Sequence, residues 1–345
     1  MSTKGTPLLY GVGNPLMDII VRVSGEMPAR LGVVSGSMNL VDYERQQEAL
    51  SSGTIVRRLP GGSCANTVRG IRWLEQAHGS GAPKAVAYTG AVGYDREGDG
   101  FEALLDTEGV VPLLVRKHTP TGSSVILVTP DSQRTMFTYL GACRELAEDD
   151  VDFSRVRDAR VFHTTGYMWD TKTQEQAARS ATRAASASRT LVSFDVADPF
   201  VARRYRDSLL QWIPGNVDVL FANQEELQEL TGHRSNEREL LRAAAELAPT
   251  VAMKIGARGC IVMHHGTECR AAAHPAERVD TTGAGDAFAA GYLFGVLRGL
   301  SVAASAAAAN ILAAGIVSVD GCNYDALSAE RVRAEIDPIL SAPRH

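Results

Sequence analysis

The chain has 345 residues, of which 45% are hydrophobic, and a formal net charge of −5. This length accommodates one large α/β domain with an accessory unit, or two domains. Its 35 lysine and arginine residues are scattered along the chain, which argues against a nucleic-acid-binding protein. The five cysteines are widely spaced and include no C-x-x-C pair. Neither a disulfide framework nor a zinc site is therefore indicated, and a reducing cytoplasm is the expected compartment.

Residues 299–319 carry no charged side chain and are long enough to cross a bilayer. The segment is rich in alanine and contains Ser301, Ser305 and Asn310, which make it only weakly apolar. We therefore expect a buried helix and no association with a membrane. Residues 1–7 lack the basic and apolar regions of a signal peptide, which agrees with a cytoplasmic protein.

The chain begins with an apolar run, residues 8–13, that ends in glycines and is broken by Asn14-Pro15. This pattern predicts a central strand followed by a loop at the ligand edge of an open parallel sheet. Asp18 follows on the same edge. The elements predicted next are strands at 18–23 and 35–41, a helix at 42–51, a glycine turn and helix at 61–74, a strand at 85–92 and a helix at 95–107.

Residues 110–140 form a hairpin-rich stretch. Strands are predicted at 110–115, 123–129 and 135–140, and the turn residues Thr119-Pro120-Thr121-Gly122 separate the first two. Together with residues 18–41, these strands predict a small separate sheet.

Strands and helices alternate regularly after residue 160. The predicted strands are 161–163, 191–195, 217–222 and 251–255, and the predicted helices are 173–188, 201–212, 224–230 and 237–247. Such alternation implies right-handed βαβ units and a parallel sheet that is covered by helices on both faces.

The most informative stretch is D-T-T-G-A-G-D, residues 280–286, which leads directly into an apolar helix. Its glycines let the backbone approach a ligand, and the first N–H groups of a helix favour an anion. Asp286 stands at that point, where the helix dipole is expected to lower its pKa. A carboxylate there suits phosphoryl transfer, in which it accepts the proton of the attacking hydroxyl. Taken alone, a helix-capping Asp explains the stretch equally well.

Conventional nucleotide motifs are absent, since the sequence has neither a P-loop nor the third glycine of a Rossmann fingerprint. Asn223 and Glu226 follow a predicted strand and could hold a hydrated Mg²⁺, although a capping box is the alternative. Asp18, with Asn14 and Asn66, could hold vicinal hydroxyls, or these residues could form Asx turns. Residues 254–259 (K-I-G-A-R-G) form either a nucleotide-side loop or a hairpin.

These motifs, in this order, resemble those of the ribokinase-like (phosphofructokinase-B type) carbohydrate and nucleoside kinases from Tyr10 to about Tyr324. D-T-T-G-A-G-D-A-F is the most specific part, supported by P-G-G-S-C-A-N, N-Q-E-E and K-I-G-A-R-G. The chain is most similar to the adenosine kinases, through G-N-P-L-M-D-I at 13–19, P-T-G at 120–122 and D-P-F at 198–200.

The resemblance implies a doubly wound, mostly parallel α/β sheet with helices on both faces and a small β-sheet lid. The implied boundaries are a core of residues 1–18, 42–109 and 141–345, and a lid of residues 19–41 and 110–140. It further implies ATP as the donor with Mg²⁺, and K⁺ as a further candidate cation.

The resemblance also implies roles for individual residues. Asp286 would be the catalytic base, and the amides of Gly283, Ala284 and Gly285 would form the anion hole. The substrate site would contain Asn14, Leu16, Asp18, Met38, Leu40, Gly62, Ser63, Asn66 and Tyr167. Arg134 would approach the phosphates, and Asn223 with Glu226 would order Mg²⁺ through water. Asn310, Lys254, Gly256 and Gly259 would flank the ATP base, and Asp280 and Thr282 are the K⁺ candidates.

The function expected from this resemblance is phosphorylation of the 5′-hydroxyl of adenosine, giving AMP for purine salvage. The alternatives are a sugar kinase acting on ribose or fructose, another purine nucleoside kinase, and a kinase-fold scaffold without activity. The expected partner is a small molecule, and the chain is expected to be a monomer or a homodimer.

Overall fold

A computed structural model describes residues 8–79, 85–131, 133–234 and 236–341 of the chain. Residues 1–7, on which the expectation about a signal peptide rests, lie outside the described residues.

The described strands, in chain order, are β1 (Leu9–Val12), β2 (Leu16–Arg22), β3 (Met38–Leu40), β4 (Thr54–Gly61), β5 (Val86–Gly93), β6 (Val111–Lys117), β7 (Ser123–Val128), β8 (Arg134–Tyr139), β9 (Val161–Thr165), β10 (Leu191–Asp195), β11 (Val219–Asn223), β12 (Thr250–Lys254), β13 (Cys260–His264) and β14 (Thr267–Ala271). The described α-helices are α1 (Met27–Arg30), α2 (Tyr43–Leu50), α3 (Ser63–Ala77), α4 (Arg96–Thr107), α5 (Phe153–Asp158), α6 (Lys172–Ala187), α7 (Pro199–Arg204), α8 (Arg206–Trp212), α9 (Gln224–Thr231), α10 (Glu237–Ala244), α11 (Ala284–Leu297), α12 (Val302–Val317) and α13 (Ala329–Ser341).

The larger sheet has nine strands in the order β14-β13-β12-β11-β10-β9-β1-β5-β6. It is parallel from β12 to β6, and the β13–β14 hairpin adds two antiparallel strands at one edge. Successive side chains point to opposite faces, so that Leu9 packs in the cluster with α3, α11 and α12, whereas Tyr10 packs with α6, α9 and α10. The predicted doubly wound α/β fold is therefore confirmed.

The position of β1 determines where ligands can bind. Strand order runs from β1 through β5 to β6 in one direction and from β1 through β9 to β12 in the other. In open α/β sheets, the carboxyl ends of the strands at such a switch point border a crevice. Asn14 follows β1 and therefore stands at this crevice.

The smaller sheet has five strands in the order β3-β8-β7-β2-β4. Two strands belong to a different sheet from the one that the predicted domain boundaries assigned to them. β6 pairs in parallel with β5 in the large sheet, where its Pro112 is tolerated because β6 is an edge strand. β4 pairs with β2 in the small sheet, although its arginines and exposed residues gave no apolar strand pattern. The predicted single helix at 201–212 is two helices, α7 and α8.

Helix α12 accounts for the uncharged segment at 299–319. It packs along α11, and Ser305, Leu312 and Ile316 are buried in the core. Within the described ranges, no helix combines the length and the apolar character that a membrane crossing requires. The prediction of a buried helix is thus confirmed.

Candidate active site

A cavity of about 1030 Å³ lies between the small sheet and the carboxyl ends of the parallel strands. It brings together nearly all of the predicted site residues, from Asn14 on the loop after β1 to Asn310 on α12. Arg134 and Asp280 are the two predicted site residues that do not line it. One pocket therefore has walls from both sheets.

Asp286 lies in the first turn of α11, where two side chains of α3 reach its carboxylate. Ser63 Oγ donates to Oδ1 at 2.7 Å, and Asn66 Nδ2 donates to Oδ2 at 2.8 Å. Burial raises the pKa of Asp286 to about 6, although the Ser63 and Asn66 hydrogen bonds favour the charged form. The expectation that the helix dipole lowers this pKa was wrong, because desolvation is the larger effect. The carboxylate is still mostly ionised at pH 7.

The glycine turn before Asp286 is tightly packed. Gly283 caps α11 with φ of 77°, and a Cβ there would lie 2.5 Å from Cys322 Sγ. The N–H of Ala284 donates to the carbonyl of Thr281 at 3.2 Å, so this amide already has a partner within the turn. The anion hole at residues 283–285 stays a prediction, in which the amides of Gly283 and Gly285 are the available donors.

Lys254 lies beside this turn, whereas the sequence had placed it with the residues that flank the ATP base. Its Nζ is 3.2 Å from the position that a Cβ on Gly285 would occupy, and it bonds Asp195 Oδ2 at 2.9 Å. Burial would lower the pKa of Lys254, but the carboxylates of Asp195 and Glu226 raise it. The ammonium therefore stays charged where Lys254 lines the cavity.

Asn223 and Glu226 form a capping box at the start of α9. Glu226 Oε2 accepts from the N–H of Asn223 at 2.7 Å, and Asn223 Oδ1 accepts from the N–H of Glu226 at 2.8 Å. Desolvation raises the pKa of Glu226 to about 7, which Lys254 opposes and Asp195 reinforces. The capping-box alternative is thus confirmed, and the Mg²⁺ site stays a prediction at two residues that line the cavity.

These groups suit a hydrated Mg²⁺ better than a directly bound one. The described residues contain no group of three His, Cys, Asp or Glu side chains that could hold a metal directly. However, Asp195, Glu226 and Asp286 interact electrostatically with the single ammonium of Lys254, so the cluster carries surplus negative charge. A hydrated cation would balance that charge through water, as Mg²⁺ commonly does.

The side of the cavity that was predicted to bind the acceptor, at Asp18 and Asn14, depends on Gly61 and Gly62. A Cβ on Gly61 would lie 2.6 Å from Asp18 Oδ2, and one on Gly62, whose φ is 91°, would lie 2.1 Å from the carbonyl oxygen of Asn14. Burial raises the pKa of Asp18 to about 7, against the lowering effect of Arg134. Asn14 Oδ1 accepts from Gln174 Nε2 at 2.7 Å, so its side chain is already oriented.

We call the charged side of the cavity the core wall (Asp195, Glu226, Lys254 and Asp286) and the apolar side the lid wall (Leu16, Met38, Leu40, Ile126, Met136 and Leu140). Met38 and Leu40 are 46% and 49% exposed, although both are large apolar side chains. Across from them, Tyr167 lines the cavity and donates its hydroxyl to Asp198 Oδ2 at 3.3 Å. The lid wall thus offers an apolar surface to a ligand.

Arg134 and Asp280 form an ion pair. Arg134 Nη1 lies 3.0 Å from Asp280 Oδ2 and 2.7 Å from Asp320 Oδ1. The Asp280 carboxylate also accepts from the N–H groups of Thr282 and Gly321, each at 3.0 Å, and from Thr282 Oγ1 at 2.9 Å. Its oxygens are therefore occupied by donors, and a K⁺ ion does not fit on Asp280. Arg134 contacts this loop rather than the cavity.

Asn310, Gly256 and Gly259, which were predicted to flank the ATP base, also line the cavity. Asn310 Nδ2 donates to the carbonyl oxygens of Ala271 and Ala272 at 3.2 and 3.0 Å. Gly259, with φ of 92°, packs against the same segment and closes the β12–β13 hairpin, so the loop at 254–259 is both a hairpin and a cavity wall.

Sequence reasoning missed Asp195, Gln174 and Arg69. Asp195 ends a correctly predicted buried strand on the ligand edge, which was a usable signal. Gln174 and Arg69 lie on helices and reach the site only through the tertiary fold, so no local pattern marked them.

The sequence profile of the pfkB family of carbohydrate kinases matches residues 30–329 of this chain. The adenosine kinase of Schizophyllum commune is 26% identical over 333 residues, covering 88% of this chain and 93% of that protein. The crystal structure of adenosine kinase from Sinorhizobium meliloti is 32% identical with a TM-score of 0.85, covering 96% of this chain and 99% of that one. A structure from Rhizobium etli CFN 42, described as a probable sugar kinase, is 31% identical with a TM-score of 0.86 and the same coverage of 96% and 99%.

Proposed function

Since this chain belongs to the pfkB family of carbohydrate kinases, we propose that it transfers the γ-phosphoryl group of ATP to the 5′-hydroxyl of adenosine, giving AMP. Family membership confirms the resemblance carried by the motifs, and makes the chain a phosphotransferase with an alcohol group as acceptor. It is a nucleoside or sugar kinase; the choice of adenosine is the proposal. In that role it would act in purine salvage in the cytoplasm.

The observation that carries the choice of a nucleoside is the lid wall. A free sugar presents hydroxyls on all sides and would leave Met38, Leu40 and the neighbouring apolar side chains uncovered. A purine attached to the ribose would cover them, at about 25 cal/mol for each Å² of apolar surface removed from water. The hydroxyl-binding groups at Asp18 and Asn14 suit a ribose in either case.

Asp286 is proposed to accept the proton of the attacking hydroxyl. Ser63 and Asn66 each occupy one position on its two oxygens, and a carboxylate has about four lone-pair positions, so acceptor capacity remains. With a pKa of about 6, it is still mostly ionised at neutral pH, and it is a stronger base than an exposed Asp.

The phosphoryl group carries negative charge that the core must stabilise. The amides of Gly283 and Gly285 and the ammonium of Lys254 lie beside the position of Asp286 and supply fixed positive potential. Mg²⁺, held through water near Asn223 and Glu226, would add charge neutralisation of the phosphates. The small sheet is proposed to act as a lid whose closure excludes water and so limits hydrolysis of ATP.

A product screen tests this proposal. The purified chain is incubated with ATP, Mg²⁺ and one of adenosine, inosine, guanosine, ribose or fructose, and the phosphorylated product is identified by mass spectrometry. We expect AMP from adenosine at the highest kcat/KM. Phosphorylation of free sugars alone would identify a sugar kinase, and phosphorylation of none of them, with ATP still bound, would favour the scaffold.

A further inference from the structure

Arg69 is a buried arginine on α3 whose guanidinium connects three parts of the candidate site. It is 2% exposed, which is rare for an arginine unless it is fully paired. Its Nε and Nη2 bind the carboxylate of Glu108 at 2.6 and 2.7 Å in a forked pair. This pair leaves Nη1 to face the site.

The Nη1 group donates to three acceptors. They are the carbonyl of Pro60 at 2.9 Å, Asn66 Oδ1 at 3.2 Å and the carbonyl of Cys322 at 3.3 Å. Pro60 precedes the glycines that pack against Asp18 and Asn14, and Cys322 packs against Gly283. One cation therefore joins the acceptor side, the base and the glycine turn.

The contact with Asn66 has a chemical consequence for Asp286. A carboxamide can rotate by half a turn and exchange its oxygen with its nitrogen, and neighbours decide which way it points. A guanidinium has no acceptor, so Arg69 requires the oxygen of Asn66 to face it. The amide nitrogen is then turned toward Asp286 Oδ2, to which it donates at 2.8 Å.

The ionised Asp286 carboxylate also favours the amide nitrogen, because it can only accept, but a protonated carboxyl could donate to the amide oxygen instead. The hydroxyl of Tyr324 donates to the main-chain oxygen of Asn66 at 3.0 Å, which holds the backbone but not the amide. With Arg69 removed, only Asp286 among the described residues orients the amide, so Asn66 can rotate when that carboxyl takes up a proton, and the charged form loses its advantage.

We propose that Arg69 is a positioning residue for phosphoryl transfer, which fixes the amide of Asn66 so that Asp286 is held in place and kept charged. This inference rests on the proposed role of Asp286 as the base. Arg69 does not line the cavity, and it acts on Asp286 through Asn66; its charge also lowers the pKa of Asp18.

The test compares purified full-length variants. Arg69→Gln with Glu108→Gln removes the fork without leaving an unpaired charge, and Glu108→Gln alone keeps the guanidinium and its three acceptors. Arg69→Lys keeps the charge opposite Glu108 but lacks the fork, and remains available if the double variant does not fold. As a matched control, Lys117→Gln with Asp150→Asn removes an ion pair with side chains 20% and 15% exposed, away from the cavity.

The measurements are kcat and KM from pH 5 to 9, together with far-UV circular dichroism and Tm. We expect the double variant to lose about 10²-fold in kcat, because the base is misplaced. The acidic limb of its kcat profile should move to higher pH, because a hydrogen bond to the charged form of Asp286 is lost. Loss of the Arg69 charge also raises the pKa of Asp18, and Arg69→Lys, which keeps that charge, separates the two effects. Arg69→Lys should show the same shift to a smaller extent, and Glu108→Gln should keep most of the wild-type kcat.

Two results would overturn the inference. One is a folded double variant, or a folded Arg69→Lys variant, with wild-type kcat and an unmoved acidic limb. The other is a fall in kcat while the acidic limb of the pH profile stays where it is in the wild type. The ion-pair control should behave in that way if the loss of a buried ion pair acts only through stability. Asp286→Asn, measured in parallel, separates this from the proposed function: if that variant keeps wild-type turnover, it is the base assignment that fails.

Discussion

The core wall and the lid wall of the cavity present different kinds of side chain to the same ligand. On the core wall, Asp286, Lys254 and Asp195 are linked by hydrogen bonds and charge, and each has a defined partner. On the lid wall, Met38 and Leu40 are half exposed, and their apolar side chains offer a ligand van der Waals contact rather than hydrogen bonds. The core wall is thus preorganised for chemistry before a ligand arrives, whereas the lid wall gains its contacts only when an apolar group covers it.

This difference predicts that substitutions in the two walls change different kinetic constants. Changes in the core wall should act on kcat, because interactions with developing charge matter most in the transition state. Changes in the lid wall should act on KM and on the choice of acceptor, because the apolar contact is equal in the ground and transition states.

Asp286→Asn should give the largest effect. The amide keeps the size of the side chain but cannot accept the proton, and we expect kcat to fall by about 10³ to 10⁴-fold. Binding of the acceptor, measured by isothermal titration calorimetry, should change little. If the variant had a kcat near that of the wild type, Asp286 would not be the catalytic base, and the proposed difference between the two walls would be wrong.

Lys254→Gln should come next. It removes the ammonium that balances Asp195, Glu226 and Asp286, and we expect a loss of about 10² to 10³-fold in kcat, with weaker binding of ATP. Arg258→Gln is the matched control, because this neighbour is 61% exposed and pairs with Glu237 outside the cavity. Equal losses in both variants would mean that the β12–β13 loop matters only structurally.

Met38→Ser with Leu40→Ser should produce a smaller and different effect. Each substitution removes part of the apolar surface that a purine would cover, and we expect KM for adenosine to rise about tenfold in total with kcat nearly unchanged. Val34→Ser is the control, since Val34 belongs to the same segment and is 76% exposed but does not line the cavity. If adenosine KM were unchanged while ribose KM rose, the lid wall would not be a base-binding surface.

The sequence predicted local features of the site better than contacts between distant segments, for a physical reason. The turn at 280–286 and the strand–helix alternation are local patterns, and glycine spacing and strand ends can be recognised without the fold. The pairing of β4 with β2 and the ion pair between Arg134 and Asp320 join distant segments, so no local pattern records them. The pKa of Asp286 was predicted in the wrong direction because its surroundings include side chains of α3, which lie far away in the sequence.

The pH dependence should give the smallest effect. The ionisation of Asp286 should change kcat in one direction and the free energy of unfolding in the other. The pKa of folded Asp286 is raised to about 6 from its ordinary value of 3.8, so kcat should fall as pH decreases through about 6 and the base becomes protonated. The free energy of unfolding should respond in the other direction. A group whose pKa is raised on folding contributes stability that is full below its unfolded pKa and is lost as pH rises through its folded pKa.

Asp286→Asn isolates that contribution, because Asn is neutral at every pH and nearly isosteric. At pH 7.5 the wild type must keep a buried charge that the variant lacks, so the variant should be the more stable of the two in urea unfolding. At pH 5 the wild-type carboxyl is mostly protonated, and the gap in unfolding free energy should shrink. A gap that stays constant between pH 5 and 7.5 would contradict the raised pKa, and with it the view that burial in the core wall, rather than the helix dipole, sets the strength of the base.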